Sequence, residues 1–136
     1  SELFVPVLGT LYRSLGAFPV HRGAADTHAI RHALKLLKDR KVLGIFPEGH
    51  RIRTGKLGKA EPGAMAIAIK GKAQVVPTAI LGSNLGAQKG FWPHIKVVFG
   101  QPISVFGAEG SKKDTEAFTE ELMGEISRLI KENGGI

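Results

Sequence analysis

Apolar residues recur along the chain with two different periods, and the switches between them predict its elements. Leu3, Phe4, Val7, Leu8, Leu11 and Leu15 fall on one helical face, so Glu2 to Leu15 reads as a helix that Gly16 stops. Ala17 to Val20 then reads as a short strand. Asp26 or Thr27 is placed to cap a helix whose apolar face is Ile30, Ala33, Leu34 and Leu37. Val42 to Phe46 is a short apolar run followed directly by Pro47, the pattern of a buried strand that delivers a loop at its carboxyl end.

Pro47 to Ala60 is rich in glycine and positive charge and reads as a loop. Pro62 at a first helical position, with Ala64 to Ile69 behind it, predicts a short apolar helix ending near Gly71. Val75 to Ile80 and Ile95 to Phe99 read as two more strands. Ser111, with Asp114 three residues on, resembles a capping box for a last helix that buries Phe118, Leu122, Ile126 and Leu129. Strands alternating with helices predict an α/β fold with a mixed, largely parallel sheet covered by helices. No repeat or linker divides the 136 residues, which are expected to form a single domain.

Charge changes the picture more than composition does. The net charge is +7, and the whole excess sits between His21 and Ala60, where ten Lys or Arg face three acids. A concentrated basic window calls for an anionic partner: a phosphate-bearing small molecule, an anionic lipid surface or a nucleic acid. The chain has no cysteine, which excludes disulfides, thiolate catalysis and cysteine zinc sites. No apolar run reaches the roughly 18 to 20 residues of a membrane-spanning helix.

Within that window, Phe46-Pro47-Glu48-Gly49-His50-Arg51-Ile52-Arg53 places an acid and two arginines on a turn directly after the expected strand. Loops at the carboxyl ends of such strands are where α/β proteins put ligands. An arginine fork holds phosphate through two parallel donors, and Gly49 permits close approach of the backbone. Glu48 would repel a phosphate, so its expected task is to orient an arginine or to accept from a substrate hydroxyl. On charge alone the segment is read equally well as a solvated turn.

The string Phe-Pro-Glu-Gly-x-Arg resembles the signature of the glycerol-phosphate acyltransferase family, which includes 1-acylglycerol-3-phosphate acyltransferase. Gly16-Ala17-Phe18-Pro19-Val20-His21-Arg22-Gly23 looks like the family's second motif and Val75-Val76-Pro77-Thr78-Ala79-Ile80 its fourth, with Gly55-Lys56-Leu57-Gly58 and Gly63-Ala64 also in place. The resemblance covers residues 1 to about 100. It implies an acyltransferase-like fold and transfer of a fatty acyl group to a hydroxyl of a lysophosphatidate-like acceptor. The donor would be a thioester of coenzyme A or acyl carrier protein, with no other cofactor and no metal.

By the same resemblance Arg22, Gly23, Phe46, Pro47, Glu48, Gly49 and Arg51 would bind the acceptor's glycerol phosphate. Ile52 stands where the family usually has serine, which removes one hydroxyl donor. The family's general base is a histidine with an aspartate five residues on, and this His-x-x-x-x-Asp is expected upstream of the opening helix. The expectation is therefore of an acyltransferase domain lacking its N-terminal part, held peripherally at the cytoplasmic face of a membrane or anchored by the missing segment. His21 and Asp26 match the spacing, but they overlap the second motif and the match is read as coincidence.

Two other classes compete. A nucleotide phosphate loop fails because five residues separate Gly49 from Gly55 instead of four, and Leu57 stands where a metal-binding hydroxyl is required. A basic nucleic-acid-binding or anionic-membrane-binding module without catalysis is the alternative. Base stacking calls for aromatics among the cations, and the basic window holds only Phe46, so no nucleic acid is expected. His28 and His32, one helical turn apart, lack a third metal ligand.

Overall fold

The computed structural model describes residues 10, 11, 14, 16–18, 20, 26–50, 57–82 and 94–134. They belong to two compact units, Ser1–Leu43 and Gly44–Ile136. The element order is α1 (Thr27–Lys38), α2 (Gly63–Gly71), β1 (Thr78–Leu81), β2 (Lys96–Phe99) and α3 (Lys112–Glu132).

In the first unit most of the expected opening helix lies outside the described residues, although Thr10, Leu11 and Ser14 are helical. Asp26 starts α1 as its N-cap, and its Oδ1 accepts from the backbone N–H of His28 at 3.1 Å and of Ala29 at 3.0 Å. Ala29 and Ala33 are its buried positions, and Lys35 and Lys38 stand in its last turn, where cations favour the helix dipole. The strand expected over Ala17 to Val20 is not found: Ala17, Phe18 and Val20 have no ladder pairing.

The strand expected at Val42 to Phe46 is corrected as well. Residues 41–46 carry no strand pairing, Val42 is 98% exposed and Phe46 73%. An apolar run supplies tendency, whereas a strand is defined by a neighbour that takes its N–H and C=O groups. Among the described residues nothing pairs with this run.

The second unit is built on α3. Ser111 and Asp114 form the full capping box: Ser111 Oγ accepts from the Asp114 N–H at 3.0 Å, and Asp114 Oδ2 accepts from the Ser111 N–H at 3.2 Å. Leu122, Ile126 and Leu129 are buried along one stripe of α3, with Phe118 half-buried beside them. Met65 and Ile69 of α2 meet that stripe together with Ile103 and Val105, which closes the core.

β1 and β2 pair antiparallel, with Ala79 opposite Val98 and Ile80 opposite Val97. The α/β class holds; of the expected mixed, largely parallel sheet the described residues contain this one pair, which is antiparallel. Beyond the ladder Val75 and Ile103 exchange both backbone hydrogen bonds, at 3.0 and 2.7 Å. Their register is one residue out of step with Thr78 opposite Phe99, so one extra residue bulges near Gly100, where Pro77 offers no N–H. The bulge lies tight against α3: a Cβ at Gly100 would sit 3.1 Å from both Leu129 Cδ1 and Glu125 Oε1.

The capping box makes a pH prediction. The Ser111 side chain, followed by the backbone N–H groups of Ser111, Glu109 and Gly110, holds the Asp114 carboxyl below the ordinary aspartate value. A depressed folded-state pKa stabilises above the unfolded value and is lost as pH falls through the folded one. The first turn of α3 is therefore expected to loosen only below about pH 4. Titration of the Asp114 side chain by NMR checks this, and Ser111→Ala is expected to move the midpoint up toward the ordinary value. A midpoint that Ser111→Ala leaves in place would count against the box.

Candidate functional site

The signature segment folds as a tight turn. The Gly49 N–H donates to the Phe46 carbonyl at 3.1 Å, and Gly49 adopts φ +67°, a left-handed conformation that a side chain would strain. The space beside it is also tight. A Cβ on Gly49 would stand 3.2 Å from Glu61 Cγ.

Two hydrogen bonds tie the turn to the chain that returns toward α2. The Glu61 N–H donates to the Pro47 carbonyl at 2.8 Å. The Gly58 N–H donates to Glu48 Oε1 at 2.5 Å, and both groups are partly buried. The carboxylate acceptor makes this a charge-assisted bond. Glu61 stands immediately before Pro62, so the turn is moored at the N-terminal end of α2, whose Met65, Ala68 and Ile69 are buried.

Of the residues expected at the site, Phe46, Pro47, Glu48 and Gly49 are thus gathered in one turn, with the Phe46 ring largely exposed. Arg22, Gly23, His21 and Arg51 lie outside the described residues. Asp26 caps α1, a role its place before the apolar pattern already indicated. The sequence does not mark Gly58 and Glu61 as partners of Glu48 and Pro47. The glycine cluster at 55 and 58 was a signal for the first, but nothing local announced a bond spanning ten residues.

His28 and His32 are exposed on α1, and the His32 ring meets Phe18 edge to face at a centroid distance of 4.6 Å. Among the described residues no group of three His, Cys, Asp or Glu is placed to hold a metal ion. None of the described helices is long and apolar enough to cross a membrane.

A family model described as Acyltransferase matches residues 1–81. The chain is 34% identical over 124 residues to a 1-acyl-sn-glycerol-3-phosphate acyltransferase of Bacillus subtilis, covering 90% of this chain and 61% of that protein. It is 28% identical over 117 residues to the chloroplastic 1-acyl-sn-glycerol-3-phosphate acyltransferase LPAT1 of Arabidopsis thaliana, covering 81% of this chain and 32% of that one. The fold resembles the crystal structure of the 1-acyl-sn-glycerophosphate acyltransferase PlsC from Thermotoga maritima with a TM-score of 0.66, at 24% identity, over 94% of this chain and 54% of that one. The chain spans about a third to three fifths of the length of these relatives. With the family model matching more than half of its residues, and the signature turn folded at the predicted place, the chain belongs to the acyltransferase family.

Proposed function

We propose that this chain is the acceptor-binding part of a 1-acylglycerol-3-phosphate acyltransferase of phospholipid biosynthesis. The reaction would move a fatty acyl group from a thioester of coenzyme A or acyl carrier protein to the free hydroxyl of a lysophosphatidate-like acceptor. A general base takes the hydroxyl proton, the oxygen attacks the thioester carbonyl, and the thiol leaves as the new ester forms. The base is assigned to a His-x-x-x-x-Asp outside these residues, and no metal or other cofactor has a step to perform. The protein would act at the cytoplasmic face of a membrane, in peripheral contact with it.

The observation that carries this reading is the turn Phe46–Gly49, moored to Gly58 and Glu61 within a window that holds ten basic residues against three acids. It holds Phe46 to Gly49, the first four residues of the family signature, in a defined conformation, and the surrounding sequence is basic, which suits a phosphate monoester. Arg22, Gly23 and Arg51 are assigned to acceptor binding by the motifs they stand in.

A titration of the isotope-labelled chain, followed by NMR, tests the reading. Glycerol 3-phosphate is expected to shift the amides of Gly49, His50 and Gly58, whereas glycerol is not, and lysophosphatidate is expected to compete. The basic window could instead serve nucleic acid, whose binding weakens steeply with salt and needs no glycerol phosphate. Tight binding of a labelled duplex or single strand at physiological salt, unaffected by excess lysophosphatidate, would overturn the acyltransferase reading of the window.

A further inference from the structure

One acceptor phosphate does not occupy all the positive charge of the basic window. A phosphate monoester carries at most two negative charges, whereas the window holds ten cations. Five of them, Arg31, Lys35, Lys38, Arg40 and Lys41, fall within residues 31–41, on α1 and just beyond it, with Asp39 as the only acid among them. All five are exposed. Arg31, Lys35 and Lys38 are four and three residues apart, so they stand in one row about 10 Å long on the helix. Lys35 pairs with Asp39 at 2.6 Å, and the other four make no ion pair among the described residues.

The end of α1 keeps one of these charges against a backbone preference. The Arg40 N–H donates to the Leu37 carbonyl at 3.0 Å and the Lys41 N–H to the Leu36 carbonyl at 2.9 Å, the double closure that ends a helix on a left-handed residue. That residue is Arg40, at φ +56°, where glycine is favoured and a side chain is strained. A strained residue held at the surface points to a use for its side chain. The helix dipole accounts for Lys35 and Lys38 in the last turn, but not for Arg31 a turn earlier.

We propose that this basic row on α1 is the docking face for the acyl carrier protein that brings the thioester, met through a helix that presents carboxylates. This rests on the acyltransferase reading given above and decides between the two donors named there. The exposed ridge of a helix is convex, and small molecules are held in concave sites, so coenzyme A does not match it. Helices that lie on a bilayer insert exposed apolar side chains beside their cations, whereas every exposed residue of α1 is polar. Rows of exposed charge steer encounter and set orientation more than they add affinity, which suits a carrier that must arrive, deliver and leave.

Fluorescence anisotropy of labelled palmitoyl-acyl carrier protein with the full 136-residue chain tests the docking. The unsubstituted chain is expected to bind it, with an affinity that falls as salt rises. Arg31→Glu, Lys35→Glu and Lys38→Glu made together are expected to weaken binding at least about tenfold. Arg40→Gly removes a charge and relieves the left-handed backbone. It is expected to weaken binding about two- to fivefold while the thermal midpoint stays or rises, so it carries the test if the triple variant does not fold. Glycerol 3-phosphate binding is expected to be unchanged in both.

Carrier protein that is not bound, or is bound equally by the unsubstituted chain and the variants, would overturn the docking face whatever glycerol 3-phosphate does. Palmitoyl coenzyme A, phosphatidylcholine vesicles containing phosphatidylglycerol, or a DNA duplex that bound more tightly than the carrier protein and lost that binding in the same variants would assign the row to another partner and overturn it too. Carrier protein bound through the row by a chain that does not hold glycerol 3-phosphate would keep the docking face and sink the acceptor reading of the turn.

Discussion

Arg51→Ala is expected to weaken binding of the glycerol-phosphate acceptor by about 10- to 150-fold, the equivalent of roughly 1.5 to 3 kcal/mol for a hydrogen bond to a charged group. The loss follows from what arginine offers a phosphate monoester: a permanent charge and two parallel N–H donors in a fixed fork. Arg51 is two residues beyond Gly49, whose left-handed backbone closes the signature turn. Arg51→Lys keeps the charge and gives up the fork, and its effect is expected to fall between arginine and alanine. Calorimetry with glycerol 3-phosphate reads the series. In acyl transfer the penalty is expected on acceptor use rather than on thioester use. Acceptor binding that is the same with Ala, Lys and Arg at this position would remove Arg51 from the site.

What was legible in the sequence was local, and what was not depended on partners far along the chain. The last helix was visible because Ser111-x-x-Asp114 can satisfy orphan N–H groups by itself, and because Leu122, Ile126 and Leu129 recur at helical spacing. The helix after Pro62 and the strand ending at Phe99 were likewise recognisable within a few residues of where they lie. The run Val42 to Phe46 misled for the converse reason: four apolar side chains around Gly44 suggest a strand, but pairing is a property of two segments and none is described beside this one. Nor could pattern announce that Val75 to Ile80 would pair antiparallel with the next strand, with a bulge at Gly100 shifting the register. At the site, the turn and its glycine were readable from Phe46-Pro47-Glu48-Gly49. The destination of the Glu48 side chain was not, because Gly58 lies ten residues on and offers only a backbone N–H.

Residues 1–136 by themselves are expected to transfer essentially no acyl group from a thioester to lysophosphatidate, whether or not they bind the acceptor. Binding groups hold a hydroxyl near a carbonyl, but without a placed base the proton has nowhere to go, and general acid–base catalysis is worth about 10²- to 10⁴-fold. The tempting base within the chain is His21, with Asp26 five residues on to orient it. Asp26 already accepts two backbone N–H bonds as the cap of α1, so a change there would be read through the helix as well as through any catalysis. His21 is therefore the cleaner position to test. In a form of the protein in which a His-x-x-x-x-Asp precedes Ser1, activity is expected, and His21→Ala is expected to retain most of it, whereas alanine at the upstream histidine should lower turnover by about 10²-fold or more. A radiolabelled acyl-transfer assay on both forms gives the answer. Robust turnover by residues 1–136 that vanishes with His21→Ala, while α1 remains folded by circular dichroism, would make His21 and Asp26 the catalytic pair and place the chemistry inside this chain.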